Sequence, residues 1–339
     1  MNDELKFTVI SDTHYYSKKN FVDGFDKNKK PKPGQLFFSR SEEIVEHTFA
    51  CLCKNDTPDI VLISGDLTYN GERTSHDEMK AALEKLQQNG KRVYVITATH
   101  DYTTPRMPTY GIDKNDKYIE VESVKRTQLL KYYGDFGYNN AIAKHKSTMS
   151  YVAQLADGYR LFALNDDYGD PDCGFSDELM NWVKTEANNA KRDGQYIIAM
   201  THHPLVPPSP IYAAVAKGDM LNDYELRRKQ LSDLGFDFVL TGHTHMHNIS
   251  YCKIGNKKFY DISTAALTGF PPYYRQIVLN KEQKKAEIKT ICADCADSID
   301  TNGLALEEYT KDLFLGVVSK ALYDAEYDYD NFADFAVGM

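Results

Sequence analysis

Five short patches hold most of the residues in this chain that could do chemistry. They are Asp12-Thr-His14, Gly65-Asp66, Thr99-His100-Asp101, His202-His203-Pro204 and Gly242-His243-Thr244-His245. Each is rich in hard or borderline metal ligands, and each follows a short apolar run. Carboxylates and imidazoles brought together in a protein interior are costly unless a cation compensates them. If the fold gathers these patches, they imply a metal centre. A pair of ions would suit hydrolysis of a phosphate ester.

The runs that must position them read as strands: Leu5–Ile10, Asp59–Ser64, Arg92–Thr97, Gln195–Thr201 and Phe236–Thr241. The second is apolar nearly throughout and β-branched, as suits a strand covered on both faces. Asp12 and His14 are two residues apart, so strand alternation would point both to one side. All five patches lie at strand carboxyl ends, where open α/β sheets bind ligands.

In order and type these motifs resemble the calcineurin-like metallophosphoesterases, whose pattern is D-x-H, G-D, G-N-H-D or G-N-H-E, H, then G-H-x-H. The resemblance spans about residues 5–280, and Phe175–Pro204 is similar to the phosphodiesterase-like branch. It implies a four-layered α/β/β/α sandwich over 1–295. Residues 296–339 differ and read as a helical extension and an acidic tail. The resemblance also implies two metal ions, with Asp12, His14, Asp66 and His245 on one and Asp66, His202 and His243 on the other. By the same resemblance His100 assists the leaving group and Asp101 orients the His100 ring. The mixed ligand set suits Mn, Fe or Zn. Two cations about 3.5–4 Å apart can activate a water and stabilise both the attacking and leaving oxygens.

One position departs from the pattern. Thr99 stands where the family places an Asn ligand. Thr99 could ligate directly or through water, the second ion could bind weakly, or the protein could be a slow or non-catalytic relative. A phosphomonoesterase is a further alternative to a phosphodiesterase. Near the site, His203 reads as a pocket-wall group, His247 as a surface residue, and Asn70 and Gly71 as turn formers. Tyr102, Arg106 and Tyr110 either line the phosphate pocket or belong to a solvated loop.

The chain has 339 residues, 42% hydrophobic and 26% charged, with net charge −9. That charge argues against a broad nucleic-acid surface. The metal-ligand patches and the resemblance imply a small phosphate ester as the partner. No apolar stretch is long enough to span a membrane. The first strand begins almost at once, so a cytoplasmic location is expected. The six cysteines read as free thiols, although Cys292 and Cys295 could pair in an exported protein. The sequence assigns no oligomeric state.

Other periodicities predict helices over Ser39–Lys54, Glu72–Asn89, Val121–Tyr133, Ser176–Arg192, Asp223–Leu234 and Leu304–Tyr323. Hairpins are expected around Asp157-Gly158 and Gly255-Asn256, with closing strands at Gln276–Leu279 and Lys285–Ile291. Lys18–Lys32 reads as a polar loop, either mobile or bordering the site, and Pro105–Asn115 as an irregular insertion near it. The C-terminal helix reads as packed on the sandwich flank, the alternative being a dimer contact or a lid.

Overall fold

The computed structural model describes residues 4–26, 29–30, 32–54, 56–105, 107–167, 173–209, 212, 216–294 and 299–324. Arg106, Cys295 and the acidic tail beyond residue 324 lie outside the described residues.

Two sheets carry the molecule. The first joins β1 (Glu4–Ile10), β2 (Ile60–Ser64), β3 (Arg92–Ile96), β13 (Tyr273–Asn280) and β14 (Lys285–Cys292) in the order β14-β13-β1-β2-β3. Strands β1, β2 and β3 are parallel, and β13 runs antiparallel to both neighbours. The second has seven strands in the order β11-β12-β10-β9-β8-β7-β6. These are β6 (Ala143–His145), β7 (Ser150–Ala156), β8 (Tyr159–Ala163), β9 (Tyr196–Met200), β10 (Phe238–Thr241), β11 (Asn248–Ile254) and β12 (Lys257–Ser263). Its centre, β8-β9-β10-β12, is parallel.

Strand alternation builds four layers. Leu5, Phe7, Val9, Ile60 and Leu62 of the first sheet pack against Leu161, Ile198, Met200 and Leu240 of the second. The alternate residues Ile10, Val61 and Ile63 face outward onto α1 (Ser41–Leu52), α2 (Arg73–Gln88) and α3 (Leu129–Tyr133). On the far side Ile197, Ala199 and Val239 meet α4 (Asp177–Arg192) and Leu231 of the helix Tyr224–Leu234. Each fully buried aliphatic chain in these layers contributes about 1.5–3 kcal/mol. This is the α/β/β/α sandwich expected from the sequence.

Local chemistry explains several boundaries. Ser176 caps α4 by accepting the Leu179 N–H at 3.1 Å, which satisfies a donor the first turn leaves free. Gly158 has φ +79 in the β7–β8 turn, where a side chain would be strained. The C-terminal helix Leu306–Asp324 packs on the first sheet's flank through Leu306, Tyr309 and Leu313. Tyr309 also meets Phe37, with ring centroids 5.4 Å apart.

Two expectations need correction. The helix over Val121–Tyr133 is only the short α3 with a 3-10 turn, Arg126–Gln128, before it. Residues 122–124 are extended because they pair with residues 71–73: Val124 N donates to Gly71 O at 2.8 Å and Arg73 N to Glu122 O at 2.9 Å. Backbone pairing across the loop outweighs local helical spacing. The Pro105–Asn115 segment is also less irregular than expected, since it enters a small hairpin of β4 (Gly111–Ile112) and β5 (Tyr118–Ile119). The described cysteines are free thiols. No helix among the described residues is long and apolar enough to cross a membrane.

Candidate metal centre

The segments that follow the strands stay side by side beyond them. Asp12 N donates to Gly65 O at 3.2 Å and His14 N to Asp66 O at 3.0 Å, while Gly242 N donates to His202 O at 3.0 Å. These bonds carry the β1, β2, β9 and β10 extensions to one point. The i, i+2 spacing does not act through a strand pleat, because β1 ends at Ile10. Asp12, His14, Asp66, His243 and His245 instead have φ of 50, 38, 50, 66 and 57. Five of the eleven such residues described are therefore candidate ligands. Each costs about 1–2 kcal/mol, and such strain gathers where function over-determines the backbone. Two glycines make room. A Cβ on Gly65 would lie 2.7 Å from His202 Nδ1, and one on Gly242 would lie 2.4 Å from Asp12 Oδ2.

The ligand atoms form three groups, two separate triads and a third that overlaps both. Asp12, His14 and His245 make one triad, and Asp66, His202 and His243 make the other. Asp66 joins His14 and His100 in a third grouping, with all atoms of each set within 4.8 Å of one another. Asp12 uses Oδ2 to accept from Ser11 Oγ and, at 3.1 Å, from His243 N. Its Oδ1 faces His245 Nε2 at 3.4 Å, His14 Nε2 at 3.7 Å and His202 Nε2 at 3.9 Å. Asp66 Oδ1 accepts from His100 N at 3.0 Å, and Oδ2 lies 3.0 Å from His202 Nε2 and 3.9 Å from His14 Nε2. His202 is aimed by its other nitrogen, which donates to Ser64 O at 2.8 Å.

The donor set fits cations. Asp12 Oδ1 is fully buried and has no hydrogen-bond partner despite this crowding, and His202 Nε2, 3.0 Å from Asp66 Oδ2, has no aligned one. His14 Nε2 and His245 Nε2 face each other at 3.2 Å. Burial raises the Asp12 carboxyl, but His202, His14 and His245 outweigh it and hold it well below the usual range. Asp66 behaves alike, with burial overcome by His202 and His100. Burial lowers the His14 imidazole to about 4, and drives His243 well below its ordinary value with help from His203 and His202. His202 moves the other way, because Asp66 and Asp12 overcome its burial. Without an ion, Asp66 and Asp12 favour the protonated form of His202. A bound cation releases such protons.

The structure places His100 at the centre but changes who orients it. His100 Nδ1 donates to Tyr69 O at 2.6 Å and faces Asn70 Oδ1 at 2.9 Å. Both partners only accept, so Nδ1 carries the hydrogen and Nε2 is the exchangeable position. The expected orienter, Asp101, is turned away. Its oxygens accept Thr68 N at 2.8 Å and Ala98 N at 2.9 Å, bracing two loops. Thr99, His100 and Asp101 form one 3-10 turn, in which successive side chains diverge. Burial and nearby Asp66 push the Asp101 carboxyl up to about 8. Thr99 is half-buried and its hydroxyl makes no hydrogen bond among the described residues.

Two carboxylates that sequence reasoning passed over grip the His202 loop. Asp166 Oδ2 accepts Thr201 Oγ1 at 2.8 Å, His202 N at 3.1 Å and His203 N at 2.7 Å, and Oδ1 accepts His203 Nδ1 at 3.1 Å. Asp261 Oδ2 accepts Leu205 N at 2.6 Å and Val206 N at 3.0 Å. The signal for Asp166 was its place just beyond β8, level with the other patches. The His203 ring packs against that of His243, with centroids 4.0 Å apart, and its Nδ1 donates to Asp166. His247, expected at the surface, is part-buried, and its Nε2 pairs with Thr290 Oγ1 at 3.0 Å.

The family model for calcineurin-like phosphoesterases matches residues 5–247. A dimetal phosphatase from Danio rerio superposes with a TM-score of 0.56 at 12% identity, covering 85% of this chain and 99% of that one. GAP50, the anchor in the inner membrane complex of Plasmodium, superposes with a TM-score of 0.41 at 12% identity, covering 86% and 85%. No match was found among the curated proteins. The matched model covers well over half of the sequence and every strand-end patch, so the chain belongs to the calcineurin-like phosphoesterase family.

Proposed function

We propose that this protein is a metal-dependent phosphoesterase acting on a small phosphodiester. Asp12, His14, Asp66 and His245 would hold one ion, and Asp66, His202 and His243 the other, with Thr99 beside the second. The observation that carries the reading is Asp66, which shares one ligand group with His202 and His243 and another with His14, itself grouped with Asp12 and His245. When bound, such a pair supplies Lewis-acid stabilisation of the phosphate oxygens and activates water. The donor set suits Mn, Fe or Zn.

The chain's own residues supply the rest. His100 is held by Tyr69 O, so its Nε2 has one task at the site: to give a proton to the leaving oxygen or take one from an attacking group. Asp66 fixes the His100 backbone through its N–H, coupling the proton donor to the ligand cluster. Glycines 65 and 242 keep the ligand loops in contact. A positioned general acid contributes about 10²–10⁴-fold. His100→Ala should therefore lower kcat by that order while leaving metal content unchanged. A variant with full kcat would remove His100 from the mechanism. Parallel assays on monoester and diester p-nitrophenyl substrates decide the preferred ester.

A further inference from the structure

Strands β11 and β14 each end their sheet, and the sandwich does not close between them. Register fixes which way their side chains face. Ile249 of β11 pairs with Ile262 of β12, and Ile262 pairs with Leu240 of β10. Leu240 and Ile262 belong to the layer packed between the sheets. Ile249 and, two residues on, Tyr251 therefore belong to the same inward face. Yet they are 45% and 52% exposed. On the other sheet, Ala286 and Ile288 of β14 pair with the core residues Leu279 and Ile277 of β13, so they too face inward. Between these edges lies a cavity of about 440 Å³, floored by Phe238, Ile262, Leu279 and Ile288. Ligand cavities typically measure about 300–1,000 Å³. Tyr196 and Phe238, which line it, begin β9 and β10. The cavity thus sits at the opposite end of those strands from the metal centre. Its charged groups, Lys258, Lys284, Lys285 and Asp237, are all exposed. Asp237 accepts from the Tyr196 hydroxyl at 3.0 Å, and Lys258 Nζ lies 4.5 Å from the centre of the Tyr251 ring. Lys285 pairs with Glu287 at 2.6 Å, whereas Lys284 makes no ion pair among the described residues.

We propose that this cavity is a second ligand site, and that it takes the alkyl chain of an aliphatic carboxylate, with the anion among Lys258, Lys284 and Lys285. The chain would complete an inter-sheet layer that Ile249 and Tyr251 leave open to water, and it gains with every methylene it buries. Among the described residues, no buried polar side-chain atom lacking a partner lines the cavity. A sugar or a base would therefore give up its waters there without replacement, which is costly. Lysine stems can lie along a hydrocarbon chain while their ammonium groups stay in water to meet the carboxylate. Three lysines against one aspartate, itself engaged by Tyr196, select an anion over a cation.

Calorimetry on the full chain tests this with octanoate, decanoate and dodecanoate, each kept below its micelle-forming concentration, and with decyltrimethylammonium as the charge-reversed control. Affinity should rise about tenfold with each two added methylenes, and decanoate should bind at least tenfold more tightly than the cation. Ile249→Asp puts a carboxylate at the chain's entrance and Lys284→Glu reverses the charge of the unpaired lysine. Both positions are exposed, so neither change threatens the fold, and thermal melts verify this. Each variant should bind decanoate at least tenfold more weakly. No binding, an affinity independent of chain length, or equal binding of the cation would overturn the proposal. So would decanoate binding unchanged in both variants, which would place the carboxylate elsewhere, the metal centre included.

Discussion

Replacing Asp166 with Asn should weaken one metal site and spare the other. Asp166 is fully buried at the end of β8 and touches no candidate ligand atom. Burial pushes its carboxyl up, but the His203 ring and backbone outweigh this and keep it ionised. Four donors converge on it: Thr201 Oγ1, His202 N, His203 N and His203 Nδ1. Hydrogen bonds to a charged group are worth about 1.5–3 kcal/mol each, and bonds within one network do not add. An Asn can turn its carbonyl oxygen to the first three donors. Its NH₂ then opposes His203 Nδ1–H, so about one bond and the charge are lost. The expected stability loss is about 2 kcal/mol, which a domain worth about 5–15 kcal/mol survives. Partners that orient metal ligands typically contribute 10–100-fold to affinity. Calorimetric Mn²⁺ titration, with thermal melts to verify folding, should show that loss at the Asp66–His202–His243 site and little change at the Asp12–His14–His245 site. Equal weakening of both sites, or of neither, would refute the idea that Asp166 acts by placing the His202 loop.

Two other outcomes follow from single residues. Glu72, at the start of α2, is pushed up to about 7 by burial, and its oxygens lack an aligned hydrogen-bond partner. A carboxyl protonated in the fold but ionised when unfolded favours the fold at low pH, and this contribution is lost as pH rises from about 4.5 through 7. Glu72→Gln should therefore match wild type near pH 4 and exceed it by up to about 3 kcal/mol at pH 8. Urea midpoints across that range check it, and a pH-independent difference would contradict it. Thr99→Asn replaces a short hydroxyl with a longer carbonyl at the position where the family pattern has an Asn, and should tighten Mn²⁺ at the Asp66–His202–His243 site several-fold. An unchanged titration would mean that position 99 does not reach the ion.

The sequence showed the ligands well because each one follows a run of alternating or continuous apolar residues. Those runs can only be strands of a covered sheet, and their carboxyl ends converge. It showed the roles of neighbours poorly. Adjacency of His100 and Asp101 suggested a pair, yet a 3-10 turn sends the two side chains apart, and the true partners, Tyr69 and Asn70, come from the loop after β2. Asp166 was equally hidden, since an acid beyond a strand is ordinary until its backbone donors, 35–37 residues away in the chain, are seen to converge on it. The extended stretch at 122–124 failed for a related reason: its pairing partners at 71–73 are distant in sequence.

The most direct test of a shared two-ion centre is hydrolysis of bis-p-nitrophenyl phosphate by metal-stripped protein as Mn²⁺ is added in counted equivalents. With Asp66 joining two ligand groups, activity should stay near background through the first equivalent and rise with the second. Activity complete at one equivalent, or absent at every metal level, would contradict it.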